Sequence, residues 1–210
     1  MSELIKKLEW RYATKDFDPT KKVSEADLEE IIEAFRLTPS SFGLEPWKLV
    51  IVENPEIREK LQVYSWNQSQ ITKASHLLVF VRVKNIDDNY IDAYFDKSVK
   101  ITWATREQLS GYENMMKWYF SNMTLEFKSS WARDQVFLAL WNVMHFLAQK
   151  QIDSCAIWGF DPSKYDEILE LDKLGLASVV VLPIWYRSND DKNALRPKVR
   201  FSKDEIIIRK

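Results

Sequence analysis

Four basic residues near the two ends of the chain are the first candidates for chemistry. Arg11 and Lys15 lie near the N-terminus, and Lys198 and Arg200 lie near the C-terminus. Residues two apart in an extended segment point to the same side, so Lys198 and Arg200 can face one anion together. Arg11 can join them only if the fold brings the two ends together. Because charged side chains mostly lie in solvent, spacing alone favours four solvated residues over an anion site.

The scarcity of glycine strengthens the case for these cations as phosphate ligands. The chain has four glycines, Gly43, Gly111, Gly159 and Gly175, and they form neither GxGxxG nor a P-loop. A bound phosphate would therefore have to be held by side-chain cations, to which arginine and lysine are suited.

Other catalytic chemistries find little support in the residue types. The only histidines are His76 and His145, far apart in sequence, and Cys155 is the only cysteine. These numbers disfavour a zinc or iron site of the usual kind and predict no metal. They also leave no convincing Ser/His/Asp or Cys/His arrangement, so no protein nucleophile is predicted.

Three further segments carry groups that suit a flat, polar ligand. The amides in residues 67–70 could bond a heterocycle edge, although an ordinary helix N-cap is the commoner role. Residues 156–161 read as a strand end leading into a turn and a helix, where backbone donors are available, although most such connections bind nothing. The aromatic residues 118–120 could line a flat pocket, but core or interface packing explains them equally well.

Hydrophobic periodicity predicts the elements that must position these groups. Residues 87–130 are expected to be helical in pieces whose ends cannot be placed. Helices are expected over 2–10, 24–37, from Pro55 onward, 68–75 with Asn67 as N-cap, 131–150 and 161–171, and strands over 47–52, 77–83, 154–157 and 177–184. The alternation of strands and helices predicts one α/β or α+β domain over residues 1–210.

Two apolar segments have no obvious place in a single chain. The helix over 131–150 is apolar almost all round between Val136 and Leu147, which predicts burial in a core or at a subunit interface. The tail from Phe201 to Lys210 carries three consecutive isoleucines, Ile206 to Ile208, with no partner in the chain.

Composition excludes several partners. Thirty basic and 31 acidic residues give a formal net charge of −1, so no global field attracts nucleic acid or an anionic membrane. No signal peptide and no bilayer-spanning stretch is predicted, and one cysteine allows no intrachain disulfide. These features together predict a cytoplasmic protein.

Five segments resemble the motifs of the nitroreductase family. Residues 11–18, Arg-Tyr-Ala-Thr-Lys-Asp-Phe-Asp, resemble its opening motif, and residues 38–47 resemble its second. Residues 67–70, 157–161 and 197–200 follow in the family's order and approximate spacing. The resemblance covers essentially the whole chain and is weakest between about 85 and 130.

The resemblance implies a fold, a cofactor and an activity. The fold is α+β, with a central mixed sheet flanked by helices, in an intertwined homodimer that holds FMN at the subunit interface. The C-terminal extension adds a strand to the partner's sheet, and the helix over 131–150 lies at the dimer core. The activity is hydride transfer from NAD(P)H to small acceptors such as nitroaromatics, quinones or flavins by a ping-pong cycle, with flavin N5 as hydride carrier and no catalytic side chain.

The resemblance also implies which residues bind FMN. Arg11, Lys198 and Arg200 hold the phosphate, Lys15 lies near the pyrimidine side of the ring system, and Asn67 bonds its edge. The backbone of Trp158 and Gly159 donates toward N5 and O4. The remaining residues implied at the cofactor are Tyr12, Ala13, Gln70 and Ile157, with Pro39, Ser40, Ser41 and Gly43 from the partner subunit, and the substrate pocket is assigned to Phe42, Glu45, Tyr119, Phe120 and Trp158.

Three departures from the family pattern bear on activity. Glu45 stands where glutamine is common, Gln70 stands where some members have lysine, and Trp158 stands where many have glutamate. Loss of a cation at position 70 predicts a flavin that is harder to reduce, and the Trp158 indole could narrow or cover the pocket. Two alternatives therefore stay open: a flavin-binding protein for storage or regulation, and an enzyme that fragments or dehalogenates its substrate on FMN.

Overall fold

A four-stranded sheet forms the centre of the computed structural model, which describes residues 1–210. The strands are β1 (Trp47–Val52), β2 (His76–Val83), β3 (Asp153–Ser154) and β4 (Leu176–Trp185), in the order β1-β2-β4-β3. All pairings between them are antiparallel, and the one parallel pairing is an isolated bridge between Ala13 and Ser154. The expected mixed sheet is thus, within this chain, antiparallel except for that bridge, because β4 runs opposite to both of its neighbours.

Nine helices surround the sheet. They are α1 (Glu3–Trp10), α2 (Glu25–Arg36), α3 (Pro55–Val63), α4 (Gln70–Lys73), α5 (Asp88–Thr102), α6 (Arg106–Ser121), α7 (Leu125–Lys150), α8 (Pro162–Ile168) and α9 (Lys203–Ile206). Short 3-10 turns occur at Ser41–Gly43, Leu171–Leu174 and Lys192–Leu195. No helix has both the length and the apolar character that crossing a membrane requires.

The two faces of the sheet bury two separate cores, because successive side chains of a strand point to opposite faces. Phe80 of β2 packs with Phe35 of α2 and Val143 of α7 on one face. Val79 packs with Leu61 of α3 and Tyr165 of α8 on the other. All ten residues of β4 are buried, as a central strand covered on both faces requires. The prediction of an α+β fold with helices on both faces is confirmed.

Three predicted boundaries were wrong for identifiable reasons. Helix α7 begins at Leu125, six residues before the expected start, because Thr124 caps it by accepting from the Phe127 N–H. Asn67 is not an N-cap: its φ is 54°, in the left-handed region that asparagine tolerates, and α4 begins only at Gln70. The helix expected over 161–171 ends at Ile168.

The segment between 87 and 130 is a hairpin of α5 and α6 followed by the start of α7. An ion-pair network joins the two helices through Arg106, whose Nη2 lies 2.6 Å from both Asp92 and Glu113. The hydrogen bond from Arg106 is the main cause that lowers the pKa of Glu113 to about 2. The network fixes α6 against α5 at the rim of the aromatic cluster around Phe120.

The C-terminal tail packs little against its own chain. Lys203–Ile206 forms the short helix α9, and Ile206, Ile207 and Ile208 are all exposed. The addition of this tail to a partner's sheet stays a prediction.

Candidate functional site

Arg11, Lys198 and Arg200 come together although 187 residues separate the first two. The Lys198 ammonium donates to the carbonyl oxygen of Arg11. Burial lowers the pKa of Lys198, and the neighbouring Arg11 and Arg200 lower it further. Burial and then Arg200 lower the pKa of Arg11 in the same direction. Each cation therefore raises the free energy of its neighbours.

No carboxylate forms an ion pair with this cluster, and only Glu9 acts to raise the pKa of Lys198 against its basic neighbours. None of the three residues takes part in an ion pair within the chain. The Nε atom of Arg11 is buried and has no hydrogen-bond partner. A buried donor without an acceptor costs about 1–3 kcal/mol, and more when it is charged. A phosphate group fits the cluster, since it supplies both the missing acceptor and the missing negative charge.

Asp191 holds the N-terminal motif beside this cluster. Its Oδ2 accepts from the backbone N–H of Lys15 at 2.9 Å and of Asp16 at 3.3 Å, and from the Tyr12 hydroxyl at 3.0 Å. Burial acts to raise the pKa of Asp191, but the backbone donors outweigh it and bring that pKa to about 2. The carboxylate is thus a fixed anchor for backbone rather than a group that exchanges protons.

Arg187 is a fourth cation at this site, but it is already paired. Its guanidinium Nε lies 2.9 Å from Oδ1 of the buried Asp153. It also lies over the rings of Trp10 and Tyr12, at 4.0 and 4.5 Å from their centroids. Arg187 therefore packs against Trp10 and Tyr12 and holds the first motif in place. Unlike Arg187, the three cations Arg11, Lys198 and Arg200 form no ion pair.

Residues 153–157 run along β4 and lead away from the cation cluster. The Cys155 N–H donates to the Pro183 carbonyl at 3.2 Å, and Ile157 bridges to Val181. Pro183 has no N–H to return a bond to Cys155, so regular strand pairing stops after Ser154 and the predicted strand over 154–157 is only partly formed.

Lys15 lies against this segment, at Cys155. Its Nζ is 3.5 Å from the Sγ of buried Cys155, and burial raises the pKa of that thiol. A neutral thiol does not compensate the ammonium, so the positive charge of Lys15 is available to a ligand. Ala13, which bridges to Ser154, holds Lys15 in this place.

Free backbone donors follow this segment, at Trp158 and Gly159. The N–H groups of Trp158 and Gly159 form no hydrogen bond within the chain. A Cβ on Gly159 would lie 2.5 Å from the ring of Trp66, so a larger residue here would have to displace that exposed ring. The Gly159 carbonyl accepts from the Gln68 side chain at 3.2 Å, which ties the 67–70 motif to the same place. Gln70 is buried at the start of α4, whereas Asn67 is exposed.

The second motif occupies a different part of the chain. The Ser41 N–H donates to the Gln135 side chain of α7 at 2.7 Å, and the Ser40 hydroxyl accepts from the Glu45 N–H at 2.9 Å. Gly43, at φ 71°, lies against Tyr94 of α5. Pro39 is exposed beside them. No hydrogen bond or ion pair within the chain joins this motif to the cations.

The residues expected to line the substrate pocket separate into two groups. Phe42 contacts Tyr119 and Phe120, with ring centroids 5.3 and 5.9 Å away, and Phe120 is a core residue at 1% exposure. Glu45 adjoins this group, since its carbonyl accepts from Tyr90. Trp158 lies elsewhere, 66% exposed and edge-on to Phe137 of α7.

Sequence reasoning missed Arg187, Asp191 and Trp66. The contact between Tyr12 and Asp191 spans 179 residues, and no local pattern reports such a pairing. Trp66 has φ 54°, which is unusual for an aromatic residue and leaves no sequence signal. Gly159, against which the Trp66 ring packs, was the one residue in the sequence that indicated a close contact at this place.

Comparisons with known proteins bear on the family to which this chain belongs. The profile of the nitroreductase family matches residues 8–184. The Bacillus subtilis (strain 168) protein YfkO, whose name marks it as a candidate NAD(P)H nitroreductase, is 36% identical over 98% of this chain and 96% of its own. The major NAD(P)H-flavin oxidoreductase of Aliivibrio fischeri is 32% identical over 97% of both chains.

A solved structure extends the similarity to the fold. The crystal structure of a candidate nitroreductase in complex with FMN, from Exiguobacterium sibiricum 255-15, superposes with a TM-score of 0.84 at 19% identity. The superposition covers 100% of this chain and 98% of the chain in that crystal structure. The order of the five motifs, the profile match and the relatives matched from end to end lead to one conclusion: this chain belongs to the nitroreductase family.

Proposed function

We propose that this chain, as a single domain over residues 1–210, is an FMN-dependent oxidoreductase. It takes hydride from NAD(P)H and passes it to small acceptors such as nitroaromatics, quinones or flavins in a ping-pong cycle. The observation that carries the proposal is the row of unsatisfied groups: three unpaired cations, then Lys15, then two free backbone N–H groups.

Each part of the row has a distinct task in this proposal. Arg11, Lys198 and Arg200 bind the FMN phosphate, for which the orphaned Nε of Arg11 offers a charge-assisted bond. Lys15 supplies positive charge near the pyrimidine edge, and the N–H groups of Trp158 and Gly159 donate to the reactive edge. FMN supplies the hydride-transfer chemistry when it is bound, so no side chain of the protein has to act as nucleophile.

We further propose that the active protein is a homodimer with FMN at the subunit interface. The second motif supports this, because no hydrogen bond within the chain joins Pro39, Ser40, Ser41 or Gly43 to the cations, and a partner subunit can bring these residues to the cofactor. Unpaired apolar groups support it too. Leu138 and Trp141 on α7 are about half exposed, and the isoleucines of the tail contact little in their own chain.

The test is a visible spectrum of the purified protein before and after addition of NADPH or NADH without oxygen. Yellow protein that is bleached by either nicotinamide and regains colour with a nitroaromatic or quinone is the expected result. Yellow protein that stays oxidised would favour flavin storage, and replacement of Trp158 by glycine would then test whether its indole blocks access.

Colourless protein that gains no flavin on incubation with FMN would overturn the proposal. A matched control uses riboflavin in place of FMN, because the cation cluster should distinguish the two. Separate assays with each acceptor class would identify the preferred one.

A further inference from the structure

The turn between α3 and α4 has an unfavourable backbone conformation. Trp66 and Asn67 each have a φ of 54°, in the left-handed region, which is least favourable for a bulky residue such as tryptophan. Trp66 is also 79% exposed, so its ring contributes little to the core. An exposed aromatic side chain on a strained backbone points to a role other than core packing.

The ring of Trp66 lies against the backbone of Gly159. A Cβ built on Gly159 would meet three atoms of that ring at 2.5, 2.7 and 2.9 Å. Gly159 does not have a left-handed φ, so the space taken by the ring, and not the backbone conformation, accounts for the glycine. The ring therefore limits the movement of the two peptide groups that meet at Gly159.

Hydrogen bonds fix both of these peptide groups. The Gly159 carbonyl accepts from Nε2 of Gln68 at 3.2 Å, and the same Nε2 donates to the Ser65 carbonyl at 3.1 Å. The Trp158 carbonyl accepts from the Phe160 N–H at 3.1 Å. Because a trans peptide is planar, the Gly159 N–H points away from the Trp158 carbonyl. Contacts within the chain thus set the direction of this free donor.

Two further contacts hold the turn that carries the Trp66 ring. The Asp161 N–H donates to the Tyr64 carbonyl at 2.8 Å. The hydroxyl groups of Ser65 and Tyr165 lie 2.6 Å apart, and both residues are fully buried. The backbone just before Trp66 is therefore anchored to the segment that follows Gly159.

We propose that Trp66 and Gln68 are positioning residues that hold the Gly159 N–H in the direction it needs to donate to N5 of FMN. This inference rests on the proposed function, in which the Gly159 N–H meets the reactive edge of the flavin. Both residues act through the Gly159 backbone. Because hydrogen bonds weaken steeply when they are misaligned, loss of either residue weakens the bond to N5 and leaves the phosphate contacts intact.

The test is titration of the flavin-free protein with FMN and with 5-deaza-FMN, whose C–H in place of N5 cannot accept a hydrogen bond. Both ligands carry the phosphate, so the contribution of the cation cluster cancels in the ratio of their affinities. The unaltered protein should bind FMN about 2- to 13-fold more tightly, as one net hydrogen bond predicts. W66A and Q68M should bring this ratio close to one, whereas W66F, which keeps a ring beside Gly159, should restore most of it.

Trp103 provides the matched control. It is 93% exposed and has a φ of 60°, so it resembles Trp66 in residue type, exposure and backbone conformation. W103A should keep the ratio of the unaltered protein.

Three results would overturn the inference while the proposed function stands. They are an unchanged ratio in W66A and Q68M, an equal loss of affinity for both flavins in these variants, and a ratio near one in the unaltered protein. The equal loss would mean that the two residues only support the fold. Unaltered protein that binds neither flavin would overturn the proposed function, and this inference with it.

Discussion

In the proposed complex with FMN, replacement of Arg11 by methionine should separate recognition of the phosphate from recognition of the ring system. Arg11 is half-buried, its Nε has no partner, and its side chain donates no hydrogen bond within the chain. Methionine keeps an unbranched apolar stem of similar length, so packing changes little. The variant therefore removes a cation whose only evident partner is an external anion.

The magnitude follows from the cost of one hydrogen bond to a charged group, about 1.5–3 kcal/mol. At about 1.4 kcal/mol for each factor of ten, R11M should bind FMN about 10- to 150-fold more weakly. Riboflavin lacks the phosphate, and its affinity should change less than about twofold by the same reasoning. The stability of the flavin-free protein should not fall, because Arg11 is repelled by Arg200 and lacks an ion pair.

The assay is quenching of flavin fluorescence when the flavin-free protein is titrated with FMN and, separately, with riboflavin. The control variant K60A removes an exposed cation of α3 and should match the unaltered protein with both ligands. An equal loss of FMN and riboflavin affinity would refute the reasoning, since it would mean that Arg11 shapes the fold rather than binds phosphate. Unchanged FMN affinity would refute it as well.

Three further predictions concern acid stability, reduction potential and assembly. Hydrogen bonding from Arg106 lowers the pKa of Glu113 from 4.5 to about 2, so ionised Glu113 stabilises the folded protein above pH 4.5 and this stabilisation is lost as the pH falls toward 2. The melting temperature of E113Q should therefore fall less steeply with pH over that range. Q70K should raise the two-electron potential of bound FMN by about 20–40 mV, or about 1–2 kcal/mol, in a redox titration, and no rise would contradict a cation effect. If the proposed dimer forms through α7, L138E should convert it to monomer and lower flavin content, as measured by light scattering and absorbance, while K97E on α5 should do neither.

The sequence predicted the parts of the site that are local. Strands over 47–52 and 77–83 and the helix opened by Ser24 follow from apolar spacing and a capping residue, and the structure agrees within about a residue. The cation cluster of Arg11, Lys198 and Arg200 could be predicted only on the condition that the fold brings the two ends together, because periodicity does not report which distant segments meet.

The remainder depended on long-range contacts or on unusual backbone. The anchoring of Lys15 by Asp191 joins positions 176 apart, and it is a packing outcome of the whole fold. Trp66 and Asn67 adopt positive φ because the chain turns sharply before α4, which displaced the predicted cap. Pro183 was visible in the sequence, but its effect on β3 required knowledge of which strand it faces.

The contact between Lys198 and Arg11 has a consequence for how the proposed cofactor would be acquired. The bond between Lys198 and Arg11 joins residues 187 positions apart, so it can form only after both segments have left the ribosome. Cofactor capture should therefore come late, after the sheet has formed, and a chain still being translated at residue 190 should not retain FMN. Because a ligand that binds only the closed form stabilises it by mass action, flavin supply in the cell would act on the yield of finished protein.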